Sequence, residues 1–384
     1  MGILHGAGEG AASKKEAVMV PIKKSTRIKI RAAVVCKQDG PLKIETLEME
    51  GPQDSEALIR IVACGVCHTD ISMVHHWEAS DGPLVLGHEG AGVVELTGSK
   101  VKAVRPGDHV ILSYQSCGTC HPCKSGRPNK CRRFYELNFG FHRADGSNAL
   151  EASGVRGHFL GQSSFASHVL ATERNMVKVS RKLPLKVLAP LGCGMQTGAG
   201  TVMNMLHVRR GESVAVFGTG AVGLAAVMAA RVAGACPIIG VDISPYRLNV
   251  ALALGATHII NSRKMNAASA IREIAANGVN YVLETTGNDQ MLHLTPEIAG
   301  KKGTIAFFTG NDTPDFLPRG MKAVHVVEGD SVPQIFIPRL IKLYHSGRFP
   351  FDRLLKFYDF KDINRAMKDS LSGKTIKPVL LMER

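Results

Sequence analysis

The chain has 384 residues, 45% hydrophobic and 21% charged, an ordinary globular composition with room for two or three packed domains. Its formal net charge is +14. Its 9 cysteines, an odd number behind no charged-then-apolar leader, argue against a disulfide framework and make a reducing, cytoplasmic setting the expectation. The uncharged run Val214–Ala230 is slightly short for a membrane span and its glycines are spaced for another purpose, so no span is expected.

Residues 1–28 read as a flexible basic extension. Between Lys14 and Arg31 the only acidic residue is Glu16, yet no aromatic side chain is present to stack on bases. A solvated tail is therefore favoured over a nucleic-acid or membrane arm, and no nucleic-acid partner is expected. Gly6 stands where an N-myristoylation signal carries Ser or Thr.

Residues 29–190 are rich in Val, Ile and Gly and broken by turn dipeptides such as Asp39-Gly40 and Pro106-Gly107, the pattern of short strands and loops. Within them Cys117, Cys120, Cys123 and Cys131 crowd into one loop, CGTCHPCKSGRPNKC. Four thiolates so close together can complete a tetrahedral metal site, which leaves no position for a substrate and would be structural. An iron–sulfur cluster is the lesser alternative, and His121 is surplus to four ligands. An open metal site needs other residues. Cys67 in CGVCHTD, His88 in GHEG and Cys193 in PLGCGMQTG each sit in a glycine-containing turn, and two sulfurs with one imidazole leave a fourth position free. Spacing alone does not choose this trio, because Cys64 competes with Cys67 and an isolated cysteine is usually a buried small hydrophobe. Cys36 and Cys236 read as core residues.

From about Gly211 strands and helices alternate. SVAVFG is an apolar strand, Ala221–Ala233 a helix, Pro237–Asp242 a strand and Tyr246–Leu254 a helix. His258–Ile260 is a strand and Ala267–Ala276 a helix, after which YVLETTG, Thr304–Phe308 and Val324–Val327 supply further strands. Such alternation means parallel βαβ units, so the fold class is α/β, with a Rossmann doubly wound sheet over residues 195–332. Gly218, Gly220 and Gly223 follow the first strand and open a helix, and Asp242 ends the second strand. The first glycine permits a tight turn, the second admits a pyrophosphate and the third lets the helix pack on the sheet, while the helix N-terminus faces the phosphates. Asp242 would hold the ribose hydroxyls and repel a 2′-phosphate, which favours NAD over NADP.

GHEGAGVVELTGSKV, residues 87–101, resembles the signature of the zinc-containing medium-chain alcohol dehydrogenases, and the four-cysteine loop and NAD fingerprint follow in that family's order. The resemblance spans roughly residues 29–384. It implies a mainly β, GroES-like catalytic domain made of residues 29–194 and 333–384, discontinuous because the tail folds back, with the lobe 117–131 inserted. It implies two zinc ions per chain, a structural one on Cys117, Cys120, Cys123 and Cys131 and a catalytic one on Cys67, His88 and Cys193. Glu89 matches the acidic residue behind the catalytic metal, Asp70 the carboxylate that orients the imidazole, and Thr69 the hydroxyl that takes the alcohol proton. His68 and Lys377 match positions at the cofactor pyrophosphate, Arg247 a basic residue at the adenosine ribose, and Thr197 a residue beside the nicotinamide.

Within the family, LSYQSCGTC, GHFLGQSSFASHV and FIPRLIKLYHSGRFPFD are most similar to the benzyl alcohol type of aryl- and allylic-alcohol dehydrogenases. That likeness implies reversible NAD-dependent oxidation of primary aromatic or allylic alcohols to aldehydes, with Trp77 and Phe159 in segments bordering the pocket. It also implies a homo-oligomer, dimer or tetramer. The alternatives are a polyol or glutathione-adduct dehydrogenase of the same fold, and a non-catalytic zinc-stapled NAD-binding protein. One departure stands out: many family members carry a histidine three residues after the position of Thr69, whereas this chain has Ser72.

Overall fold

The computed structural model describes residues 27–309 and 316–382. Most of the predicted basic extension lies outside these residues, but strand structure starts earlier than the sequence reading placed it. Arg27–Val35 is a strand, paired antiparallel with Lys43–Glu50 from Arg27 opposite Glu50 onward. The reason is alternation: Arg27 and Lys29 point outward while Ile30 is buried, so the basic run becomes the solvent face of a half-buried strand.

The mainly β part is built on a seven-stranded sheet. Its order is Leu355–Asp359, Lys377–Leu381, Glu56–Gly65, Glu89–Thr97, His109–Leu112 and Met176–Val179, with His168–Thr172 also paired to Glu56–Gly65. Glu56–Gly65 is buried along most of its length, as its run of Val, Ile, Leu and Ala dictates. The strand Lys377–Leu381 reaches it from the far end of the sequence, with Cys64 opposite Leu380.

The second sheet is six-stranded and parallel throughout, in the order His258–Asn261, Ile238–Asp242, Val214–Phe217, Val279–Glu284, Ala299–Phe307 and Lys322–His325. This is the doubly wound order, and it reverses direction beside Val214–Phe217, which places a crevice at the carboxyl ends of the strands there. The helix Ala221–Ala233 lies against this sheet and is buried along most of its length. One helix, Asp289–Ile298, was not expected from sequence: Asn288 caps it by accepting from the Met291 N–H, but the internal Pro296 and Thr295 mask its pattern. Cys236, read as a core residue, is exposed, and Cys36 is half-buried.

A single apolar core joins the two sheets. Ile111 and Val177 of the first, Val214 of the second and Leu224 of the helix laid on it share one cluster with Met195 and Ala199 of the helix Gly194–Gly200. The helix crossing is close: a Cβ on Gly198 would lie 2.1 Å from the Val222 carbonyl oxygen. Among the described residues no helix is long and apolar enough to cross a membrane.

Candidate active site

The helix His68–His75 begins at Cys67, and Asp70 turns back to cap it, its Oδ2 accepting from the Cys67 N–H at 3.0 Å. The other oxygen accepts from His88 Nδ1 at 2.9 Å and from the Gly87 N–H at 3.0 Å. A carboxylate on Nδ1 fixes the tautomer, so Nε2 carries the lone pair, and that atom is buried without a partner. Phe159 packs edge-on against the same ring, centroids 5.5 Å apart, and is fully buried. Gln162 donates to the His88 carbonyl at 2.9 Å and accepts from the Gly90 N–H at 3.1 Å. Every freedom of His88 is thus removed except the direction of its free nitrogen.

That nitrogen meets sulfur. Ligand atoms of Cys67, His88, Glu89 and Cys193 lie within 4.8 Å of one another. The Cys67 thiol is held well below its usual range, first by the hydrogen bond from Cys193 and then by His88 and Lys377, against the opposing effect of burial. An orphaned imidazole nitrogen, a ready thiolate and a second thiol converging in one recess fit zinc. Thr69 Oγ1 sits 3.6 Å from Cys67 Sγ, beside this donor set.

Glu89, within reach of the same donor set, is held by Lys377. Lys377 Nζ donates to its two oxygens at 2.8 and 2.9 Å and to the Val66 carbonyl at 3.1 Å. Lys377 also lines the cofactor cleft, as the sequence reading expected, and its three N–H groups are bonded within the protein.

The four-cysteine lobe is also drawn together. Cys117 and Cys123 sulfurs lie 3.9 Å apart, as do those of Cys120 and Cys131. The edge of a tetrahedron with Zn–S of about 2.3 Å is about 3.8 Å, whereas a disulfide needs about 2.05 Å. Backbone N–H groups already point at the sulfurs, Cys117 at Cys131 and Cys120 at Cys117. Burial opposes ionisation of Cys117, yet the Thr119 hydroxyl and the N–H groups of Cys120 and Thr119 bring its thiol down to about 5.

Beside the catalytic donors runs a cleft of about 540 Å³ lined by His68, Gly220, Asp242, Arg247, Thr286 and Lys377 among others. Gly218 has φ of 85°, and a Cβ on Gly223 would strike the Gly218 carbonyl at 1.8 Å. A Cβ on Gly220 would meet nothing within 4 Å, so the backbone there is bare toward the cleft. Arg247 Nε is buried without a partner. These features fit a dinucleotide. Asp242 has less spare capacity than the sequence reading gave it: Oδ2 accepts from both the N–H and the hydroxyl of Thr219, and Oδ1 from the Ser244 N–H. One lone pair, on Oδ1, is left for a ribose hydroxyl.

Two residues here escaped the sequence reading. Glu328 lies 132 positions from Gln196, whose Nε2 donates to its Oε2 at 3.0 Å, and the Thr197 hydroxyl approaches the same oxygen at 3.3 Å. Thr197 thereby faces Glu328 and the Cys193 carbonyl. No spacing or motif announces Glu328.

The comparisons with known proteins agree with this geometry. Residues 53–181 match the alcohol dehydrogenase GroES-like domain and residues 221–328 the zinc-binding dehydrogenase domain. Fold and sequence together define an alcohol oxidoreductase of the zinc-dependent class. The chain belongs to the zinc-containing medium-chain alcohol dehydrogenase family. It is 40% identical over 371 residues to geraniol dehydrogenase of Castellaniella defragrans, covering 92% of this chain and 98% of that one. Among solved structures, an alcohol dehydrogenase zinc-binding domain protein from Burkholderia ambifaria is 48% identical with a TM-score of 0.89, covering 94% of this chain and all of the other. The benzyl alcohol dehydrogenase of Acinetobacter calcoaceticus is 42% identical, also at 0.89, over 93% of this chain and all of its own.

Proposed function

We propose that this enzyme oxidises primary aromatic or allylic alcohols to aldehydes, reversibly, with NAD as the hydride acceptor. The observation that carries the reading is the juxtaposition of an orphaned His88 nitrogen and two cysteine sulfurs with a cleft that ends at Asp242. The names of two relatives, one for an allylic and one for a benzylic alcohol, support the substrate class. Phe159 supports His88 from behind rather than facing a substrate, and Trp77 is tied by its indole N–H to the Gly82 carbonyl at 2.8 Å.

Cys67, His88 and Cys193 would hold a zinc whose chemistry is to polarise an alcohol oxygen and lower its pKa. The chain's own groups do the rest. Asp70 keeps the proton on His88 Nδ1, so the opposite nitrogen stays a donor of electrons. Thr69 places a hydroxyl 3.6 Å from Cys67 Sγ, where it can take the alcohol proton. Gly220 and the N-terminus of the helix Ala221–Ala233 receive the phosphates, and Asp242 and Arg247 the adenosine ribose. Cys117, Cys120, Cys123 and Cys131 would hold a second zinc that closes the lobe and, with all four positions filled by sulfur, leaves none for substrate.

The test is NAD reduction with benzylic, allylic, aliphatic and polyol alcohols. An apolar slot separates substrates by about 1–3 kcal/mol per methylene, so ethanol is expected to be poor. Ethanol equalling benzyl alcohol in kcat/KM, or a polyol exceeding it, refutes the substrate class.

A further inference from the structure

Beyond the strand Lys322–His325, at the carboxyl edge of the parallel sheet where such folds hold their cofactor, three successive residues are left-handed. Glu328 has φ of 52°, Gly329 of 60° and Asp330 of 48°. Two of the three carry side chains, which rarely adopt this conformation and do so only when the surroundings enforce it. The surroundings here do. A Cβ on Gly329 would lie 2.5 Å from the Thr197 carbonyl, and Tyr114 donates its hydroxyl hydrogen to the Ser331 carbonyl. From the four-cysteine lobe, Asn129 Nδ2 donates to the Val327 carbonyl at 3.1 Å and to Asp330 Oδ1 at 2.7 Å.

What this enforced turn delivers is the Glu328 carboxylate. Its partners, Gln196 and Thr197, are both neutral, and among the described residues no ion pair reaches it. Burial, the leading influence, raises its pKa to about 7, and the charges it feels most are those of His88 and Cys67. A zinc ion with two thiolates and a neutral imidazole sums to no net charge. Among the described residues, two carboxylates near the catalytic donors are then without a cation partner: Asp70, fully buried and turned to His88 Nδ1, and Glu328, turned to Gln196 and Thr197.

We propose that Glu328 is the counter-charge for the oxidised nicotinamide ring. The pyridinium of NAD+ is positive, and the dihydropyridine formed when it gains a hydride is neutral. A fixed carboxylate bonded to Thr197 therefore favours NAD+ over NADH and hastens release of the reduced cofactor. The inference rests on the NAD reading given above and on Thr197 flanking the nicotinamide.

The experiment is equilibrium binding of NAD+, NADH and ADP-ribose to zinc-loaded full-length protein in alkaline buffer, for wild type, Glu328→Gln and Glu328→Asp. ADP-ribose shares every contact except those of the nicotinamide. Glu328→Gln is expected to raise the Kd of NAD+ on the order of 10-fold, with NADH unchanged or tighter and ADP-ribose unchanged. Glu328→Asp keeps the charge and should restore the NAD+ to NADH ratio even where its thermal midpoint falls, which keeps the test decisive if the glutamine variant folds poorly. Equal weakening of all three ligands would mean a structural role, and no change in the NAD+ to NADH ratio would likewise overturn the proposal. Wild type binding NAD+ tightly while the ratio stays fixed in both variants sinks this inference alone; wild type binding none of the three sinks the cofactor reading as well.

Discussion

Replacing Lys377 by methionine removes one half of a buried ion pair. Lys377 is 2% exposed and Glu89 0%. The ammonium spends two of its N–H groups on the carboxylate and the third on the Val66 carbonyl. Without it Glu89 keeps only the Gly194 N–H, at 3.2 Å. Nor can the carboxylate swing aside, since a Cβ on Gly65 would already lie 1.9 Å from its Oε2. Stranding a charge in such a site costs about 3–5 kcal/mol, a large fraction of a total stability of about 5–15 kcal/mol. Adding Glu89→Gln removes the stranded charge, so the double variant should recover most of the loss. The assay is urea unfolding of zinc-loaded wild type, Lys377→Met, Glu89→Gln and the pair. Lys377→Met costing under about 1 kcal/mol, or the double variant being no more stable than the single one, refutes the reasoning.

Two zinc ions per chain are expected, with separable roles: Cys120→Ser should lower stability, Cys67→Ser should abolish turnover in a folded protein, and elemental analysis finding one zinc or none in fully active enzyme contradicts both. Proton release should not pass through the histidines near Ser72. His75 is turned to Asp39 at 2.9 Å on the surface, and His76 Nδ1 donates to the Ser72 carbonyl at 2.9 Å, so it cannot also accept from the Ser72 hydroxyl. Ser72→His should speed turnover near neutral pH by at most ~10²–10⁴, and His75→Ala should leave the pH profile of kcat unchanged; loss of a pKa near ~6.5 in that variant would show a displaced relay. At Asp108 burial opposes the charge, but Lys178, the Arg105 N–H and Arg181 outweigh it and hold the carboxyl at about 2. A folded pKa depressed below the unfolded one adds stability above pH ~3.9 that is lost as pH falls toward 2, so Asp108→Asn should destabilise at neutral pH and flatten the acid limb between them. An acid limb unchanged by the substitution would remove Asp108 from that role.

The candidate cofactor and metal sites were legible because such chemistry forces local patterns. Gly218 must be left-handed and Gly223 must lack a Cβ, so the pattern survives in the sequence. The strands of the parallel sheet were legible for a similar reason, being apolar runs cut by helix starts. What stayed hidden depends on long-range pairing. Glu328 gains its meaning from a strained turn held by Tyr114 and Asn129, neither of which is near it in sequence. Lys377 reads as a free cation until the last strand sets it behind Glu89. Arg27 reads as tail because its charge is visible and its partner strand is not.

The meeting of Gly198 with the Val222 carbonyl leaves no side chain between two helices, one starting at Cys193 and the other at Gly220. Backbone resting on backbone is a stiff bearing, and the apolar core on either side would be exposed if the two sheets drew apart. Any hinge motion between the two sheets would have this contact as its stiffest point. A bulkier residue at Gly198 would shift the bearing itself, and so mis-set the spacing between the clustered metal donors and the glycine turn without touching either.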